Sequence, residues 1–409
     1  MRKRIPLWMI LVLVVGCLSQ VGCSSHMPQE EQAVRILEEE KKQVAVEVYI
    51  KEIIPLQKME PLKGTYLGIY EPEKPINQNT KSLEDLAGFH PVFEVMSYTL
   101  EEGLPVRGFL RCIAEDKIPY IKIAYSKKGD LTALYRLIMN LKEEYDLPVF
   151  IELFPVQQSV NDSVTYKQAY RRGYDLLKKY IKHAVVVWSI EDSRIYDMPL
   201  YYPGDDVVDW AGLNVYIPRY KNGASYTFNY AQDMDFWYKS FQKTKPMLLS
   251  SLAISQFSRV DHTYDLRSVQ NNLDFFYKEI PLMYPRLKGI LYIDVDMAAI
   301  NERGMENYRL SNQKELTEHL KNLLKQSLFV QKVGDEVQGL KQEQYMKYSI
   351  EATEIEGKLY LPKKLAVTLF KDFPASFCKM KEDEKGDKYY LLEDIKLYTD
   401  MYYESKSQE

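Results

Sequence analysis

Eight short apolar runs, separated by stretches of helical length, constrain this chain more than any other feature of its sequence. The runs fall at residues 65–70, 91–98, 119–124, 148–154, 185–191, 210–216, 246–251 and 288–294. Between them lie amphipathic segments at 130–145, 166–182, 229–243 and 264–283, where apolar residues recur every three or four positions. Eight strands alternating with helices over roughly 260 residues is the arithmetic of a (β/α)8 TIM barrel. A doubly wound open sheet is the competing arrangement. It is weakened because the turn after the first run, Gly68-Ile69-Tyr70-Glu71, carries no glycine-rich phosphate cradle.

The flanks differ in character. Residues 1–23 open with Arg2, Lys3 and Arg4, continue as an apolar run from Ile5 to Val15 and reach Gly16-Cys17. That run is too short to span a bilayer and has the form of a secretory signal. Val14-Val15-Gly16-Cys17 resembles a bacterial lipobox, with Cys17 as the lipidated residue, Cys23 as the alternative, and a plain cleaved signal as the competing reading. The expected location is the extracytoplasmic face of the cell membrane, held by a lipid anchor. Disulfides are allowed there, yet Cys112 and Cys378 lie far apart in the chain and are expected to stay unpaired. Residues 24–60 read as a polar tether with some helix, 61–328 as the barrel and 329–344 as a linker. Residues 345–409 read as a small C-terminal α+β module. Within it Gly357-Lys358-Leu359-Tyr360-Leu361-Pro362 is echoed by Gly386-Asp387-Lys388-Tyr389-Tyr390-Leu391, each followed by a short helical stretch. This module resembles the copper-amine-oxidase N-terminal-like repeats, without implying copper, since no histidine occurs from Lys347 onward.

Composition excludes several functions. With 54 Lys and Arg against 58 Asp and Glu, the chain has no basic excess to meet a nucleic-acid backbone. Five histidines and four cysteines, with no CxxC or HExxH spacing, lead to the expectation of no metal and no other cofactor.

The most informative run is Tyr201-Tyr202-Pro203-Gly204-Asp205-Asp206-Val207-Val208-Asp209-Trp210-Ala211-Gly212-Leu213-Asn214-Val215-Tyr216. It resembles glycoside hydrolase family 26, the β-mannanase-type barrel enzymes. Val187-Trp188-Ser189, Lys245-Pro246 and Asn307-Tyr308-Arg309-Leu310 add matches on either side. The resemblance implies two carboxyl groups ~5–5.5 Å apart at the C-terminal mouth of the barrel, one an acid/base and one a nucleophile. Laid on the family's strand-four pattern, the chain puts Glu152 at an arginine, Pro155 at a histidine and Val156 at the acid/base. On the strand-seven pattern, Ser251 stands at the nucleophile, and Tyr216 at a tyrosine that hydrogen-bonds it. Without a carboxylate at Ser251, Tyr216 is left to contact ligand or water. Neither valine nor serine can protonate a leaving group or hold a glycosyl ester. The resemblance therefore implies a glycosidase barrel without the usual catalytic residues.

Other acids lie near the expected mouth: Glu71, Glu191, Asp192, Asp294 and Asp296. A binding cleft for polysaccharide or cell-wall glycan is expected from Trp188, Glu191, Asp192, Tyr216 and Asp294, helped by a tyrosine count of 33 against 4 tryptophans. One alternative is an active hydrolase using relocated carboxylates, Glu191 or Asp192 with Asp294. Another is a barrel serving only as scaffold in an envelope or spore-coat assembly.

Overall fold

The computed structural model describes residues 34–36, 41–72, 81–99, 103–125, 130–144, 148–221, 224–226, 230–300, 304–334, 338–370, 373 and 375–405. The lipobox segment, with Cys17 and Cys23, lies outside the described residues. By contact density the chain divides into two units, one of residues 49–348 and one joining residues up to 48 with 349–409.

The larger unit is a closed barrel of eight parallel strands. In chain order they are Thr65–Tyr70, Phe93–Tyr98, Ile118–Ile123, Phe150–Leu153, Val185–Glu191, Trp210–Ile217, Met247–Ile254 and Leu287–Ile293. Closure comes from the last strand pairing the first, in register from Gly289 opposite Tyr66 to Ile293 opposite Tyr70. Helices follow the strands, among them Thr132–Glu144, Ser163–Tyr180 and Tyr230–Phe241. Helical structure also covers residues 266–283, through a π-turn at Phe275–Glu279.

Strand side chains alternate between the two faces, and the alternation layers the barrel interior. At its N-terminal end every strand contributes to one apolar cluster: Tyr66, Phe93, Tyr120, Phe150, Val187, Trp210, Leu248 and Leu291. Phe150 meets Phe93 at 4.8 Å and Trp210 at 5.3 Å between ring centroids, in edge-on geometry. Two residues further along the strands the interior turns polar, at Lys122, Glu152, Ser189 and Ser250. Strand six reaches the same height through Gly212, where a Cβ would stand 2.1 Å from Ser250 Oγ and 2.8 Å from Ser189 Cβ. Glycine is required there by close approach, and Asn214 follows it.

In the smaller unit, Lys358–Pro362 leads into a helix at Lys363–Leu369, and Lys388–Leu391 into one at Leu392–Tyr398. The two strands pair antiparallel, Tyr360 opposite Leu391. They belong to a seven-stranded sheet ordered 34–36, 380–383, 388–391, 358–362, 341–355, 42–55 and 401–405. Two readings of the flanks need correction. Lys42–Pro55, read as part of a helical tether, is a fourteen-residue strand. Val44, Val46, Val48 and Ile50 recur every second position, a period that favours strand over helix. Lys341–Ile355 is likewise one strand, so the linker reading of 329–344 does not extend through its last residues. Lys347 belongs with the larger unit: its Nζ lies 2.7 Å from Asp235 Oδ1, and its backbone exchanges hydrogen bonds with the Gln242 amide. Cys112 and Cys378 are free and buried.

Candidate functional site

The polar layer is organised by an ion pair. Lys122 Nζ lies 3.0 Å from Glu152 Oε2, with the Glu152 side chain fully buried. Ser189 Oγ donates to Glu152 Oε1 at 2.5 Å and Asn214 Nδ2 to the same oxygen at 3.1 Å. The ammonium also donates to Ser250 O and Ser251 Oγ, each at 2.6 Å. A buried carboxylate needs this much compensation, because leaving either charge alone in the interior costs several kcal/mol. Burial and the neighbouring Glu152 carboxylate push the Tyr120 phenol well above its ordinary value.

This network decides what the two family positions look like. Ser251 is buried on strand seven, beside a register shift that sets it opposite Asn214. Its hydroxyl accepts from Lys122 and, at 3.3 Å, from Tyr216 OH. Tyr216 was expected to reach only ligand or water, but it bonds Ser251 itself. Burial pushes its phenol up to about 12. Val156 is buried beyond the end of strand four, where its backbone exchanges hydrogen bonds with Ser189 and Glu191 of strand five. The chain reaches it through Phe154, a non-glycine residue at φ 52°, so the strand ends in a sharp, strained turn.

Above the polar layer opens a cleft of about 450 Å³ lined by Gln157, Gln158, Glu191, Asp192, Tyr216 and Tyr308, with Ser159, Ser193, Pro218 and Lys221. That size suits a small ligand or one to two sugar units. Glu191 Oε2 accepts weakly, from Gln158 N at 3.3 Å and Ser193 Oγ at 3.5 Å. Asp192 Oδ2 accepts from Tyr226 OH at 3.2 Å. Burial raises both carboxyls, Asp192 to about 6.

Three of the expected cleft residues therefore meet: Glu191, Asp192 and Tyr216. The other two do not. Trp188 is fully buried on the outer face of strand five, edge-on to Tyr202 at 5.1 Å and near Phe241. Its neighbour Ser189 points inward, and alternation sends the indole into the layer between strands and helices. Asp294 spends its carboxylate on Leu310 N at 2.5 Å, Ser311 N at 3.2 Å and Ser311 Oγ at 2.5 Å, capping the short turn at Leu310–Asn312. Glu71 accepts from Leu83 N, and Asp296 from Ala299 N and Asn307 Nδ2. Lys122, Ser189, Asn214 and Tyr308 were missed as site residues. One lysine in the run Ile118-Pro119-Tyr120-Ile121-Lys122-Ile123, two positions past an inward tyrosine, was the available signal.

Residues 156–279 match the family model for glycosyl hydrolase family 26. The matched segment contains Tyr216 and Ser251, and strands one to four lie ahead of it. A β-1,3-xylanase from a Vibrio species is 26% identical over 144 residues, covering 33% of this chain and 30% of the relative. The match thus spans under a third of that relative's length. Among solved structures, a family-26 β-mannanase from Bacteroides ovatus aligns at TM-score 0.46 and 12% identity, over 68% of this chain and 92% of that one. The catalytic domain of a Bacillus endo-β-1,4-mannanase aligns at 0.48 and 11%, over 69% and 95%. The chain carries a glycosidase-like barrel.

Two outcomes follow from this geometry. Lys122→Met leaves the Glu152 carboxylate buried without its countercharge and should destabilise the barrel by ~3–5 kcal/mol. Adding Glu152→Gln should recover much of that loss, so a double-mutant cycle in urea should give a coupling energy well away from zero. Asp192 binds its proton more tightly folded than unfolded, so its ionisation opposes folding as pH rises from about 4 through about 6. Asp192→Asn should match the parent below that window. Above it the variant should be more stable, by up to ~3 kcal/mol. Burial also raises Glu94 and Asp294, but they titrate alike in both proteins and cancel in the difference.

Proposed function

We propose that this chain binds polysaccharide through a glycosidase-like barrel that does not hydrolyse its ligand, and that a lipidated Cys17 or Cys23 holds it outside the cytoplasm. The observation that carries the first part is the state of Ser251. Its hydroxyl is fixed 2.6 Å from an ammonium that is itself paired with Glu152. An ammonium has no lone pair to accept the serine proton, so the contact is not a nucleophile–base pair. Nor does serine supply the carboxylate that a retaining glycosidase uses as nucleophile. The cleft above, with two tyrosines, two glutamines and two acids, has the stacking and hydrogen-bonding groups that sugar recognition uses. Binding outlasts the loss of catalysis because it draws on hydroxyls remote from the reacting bond.

A second reading is favoured by one observation. Asp192, raised to about 6 beside the cleft, has the proton affinity of a general acid. Its proposed partner Asp294 is committed to Leu310 and Ser311, which weighs against a relocated pair.

Incubation with β-1,4-mannan, mixed-linkage β-glucan or β-1,3-xylan should release no reducing ends. Turnover abolished by Asp192→Asn yet unchanged in Ser251→Ala would replace this reading with an active hydrolase. For the anchor, the expected result is that the parent partitions with membranes and a Cys17→Ser, Cys23→Ser variant does not, since a diacylated cysteine supplies two chains. Continued membrane partition of the variant would refute the anchor.

A further inference from the structure

The acids around the barrel mouth fall into two groups. Glu152 is met by Lys122, Ser189 and Asn214, and Asp294 by the backbone and hydroxyl of its cap. Glu306 accepts from Ser255 Oγ, Ser258 Oγ and Arg219 N. Each of these carboxylates is supplied from within the fold. Glu191 and Asp192, which line the cleft, are not supplied to the same degree. The bonds they accept from Gln158 N, Ser193 Oγ and Tyr226 OH run from 3.2 to 3.5 Å, and Asp192 also accepts from the Ser193 backbone N–H. Of the nearby cations, Arg194 is hydrogen-bonded to Asp197, Gln157 O and Val160 O, and Lys221 lies over the Tyr226 ring at 4.6 Å, so they act on Glu191 and Asp192 through space.

We infer that the glycan taken by this cleft carries a protonated amino group, as in a 2-amino-2-deoxyhexose without its acetyl group. The inference rests on the glycan-binding reading above. An ammonium placed between Glu191 and Asp192 gains charge-assisted hydrogen bonds from two dehydrated carboxylates. Tyr216 and Tyr308, with ring centroids 6.5 Å apart, offer aromatic faces for both the sugar ring and its cation. A neutral sugar finds the same hydroxyl partners but no charge to meet. A uronic acid meets two like charges against the single ammonium of Lys221. The desolvation that raises both carboxyls acts in the same direction, since a bound cation relieves it.

Calorimetric titration of the full chain with glucosamine hexamer, N-acetylglucosamine hexamer and cellohexaose tests this, at a pH just above the titration of Asp192. The glucosamine hexamer should bind about tenfold tighter than either neutral hexamer. A Glu191→Gln, Asp192→Asn variant should lose that preference, its affinities for the charged and the neutral hexamers converging. Equal affinity for all three hexamers would overturn the amino-sugar inference and leave glycan binding standing. Preference for glucosamine that survives in the variant would show adsorption elsewhere on the protein and overturn it as well. Binding of none of the three, with mannan, β-glucan and β-1,3-xylan also failing to bind, would bring down both readings.

Discussion

A carboxylate inside a barrel must be answered by a charge of opposite sign, and here the pairing of Glu152 with Lys122 answers it. The consequences reach five strands. Lys122 stands on strand three, Glu152 on four, Ser189 on five, Asn214 on six, and Ser250 and Ser251 on seven. Each residue's partner lies on another strand, so no one of them can be moved without leaving a buried polar group short of its partner. Geometry at Ser251 follows from this network rather than from anything a substrate would need. The apolar layer of Phe93, Phe150, Trp210 and their neighbours closes the barrel below it and leaves the mouth as its open side.

The barrel itself was legible in the sequence because its signal is periodic and repeated. Runs at 65–70 and 185–191 coincide with their strands, and the other six differ by one to three residues at an end. Burial on both faces makes such strands apolar throughout, so the run marks the strand even where its ends are blurred. The flanks were harder to read. Val44, Val46, Val48 and Ile50 show strand alternation, but the polar residues around them suggested a tether, and strand pairing with a segment three hundred residues away has no local signature.

The site was legible only in part, for reasons that lie in the difference between a strand's two faces. Trp188 and Ser189 are neighbours in sequence and point to opposite sides of the wall. The larger, more sugar-like residue faces the helices. Asp294 looked equally promising at a strand end, but which donors await a carboxylate depends on where the following loop turns, and here Ser311 and Leu310 lie within reach. Glu191, Asp192 and Tyr216 line one cleft because each sits at or just beyond the C-terminal end of its strand. Tyr308 came from a distant loop, and periodicity says nothing of such arrivals.

The pairing of the first long strand with one near the other end of the chain also bears on how the molecule comes to be. Gln43 donates to Thr353 across 310 residues of sequence. As the chain leaves the ribosome, Lys42–Pro55 therefore waits for Lys341–Ile355 before its sheet can form. Until then Lys42–Pro55 offers an unpaired edge, and the charged residues within it, Lys42, Glu47, Lys51 and Glu52, guard it against pairing with another copy. Seven of the barrel's eight strand pairings join successive strands and can form as the chain is made, while the closing pair of last strand with first waits for Leu287–Ile293. The sheet joins residues 34–55 to residues 341–405, so it is expected to be the slow, last step in folding.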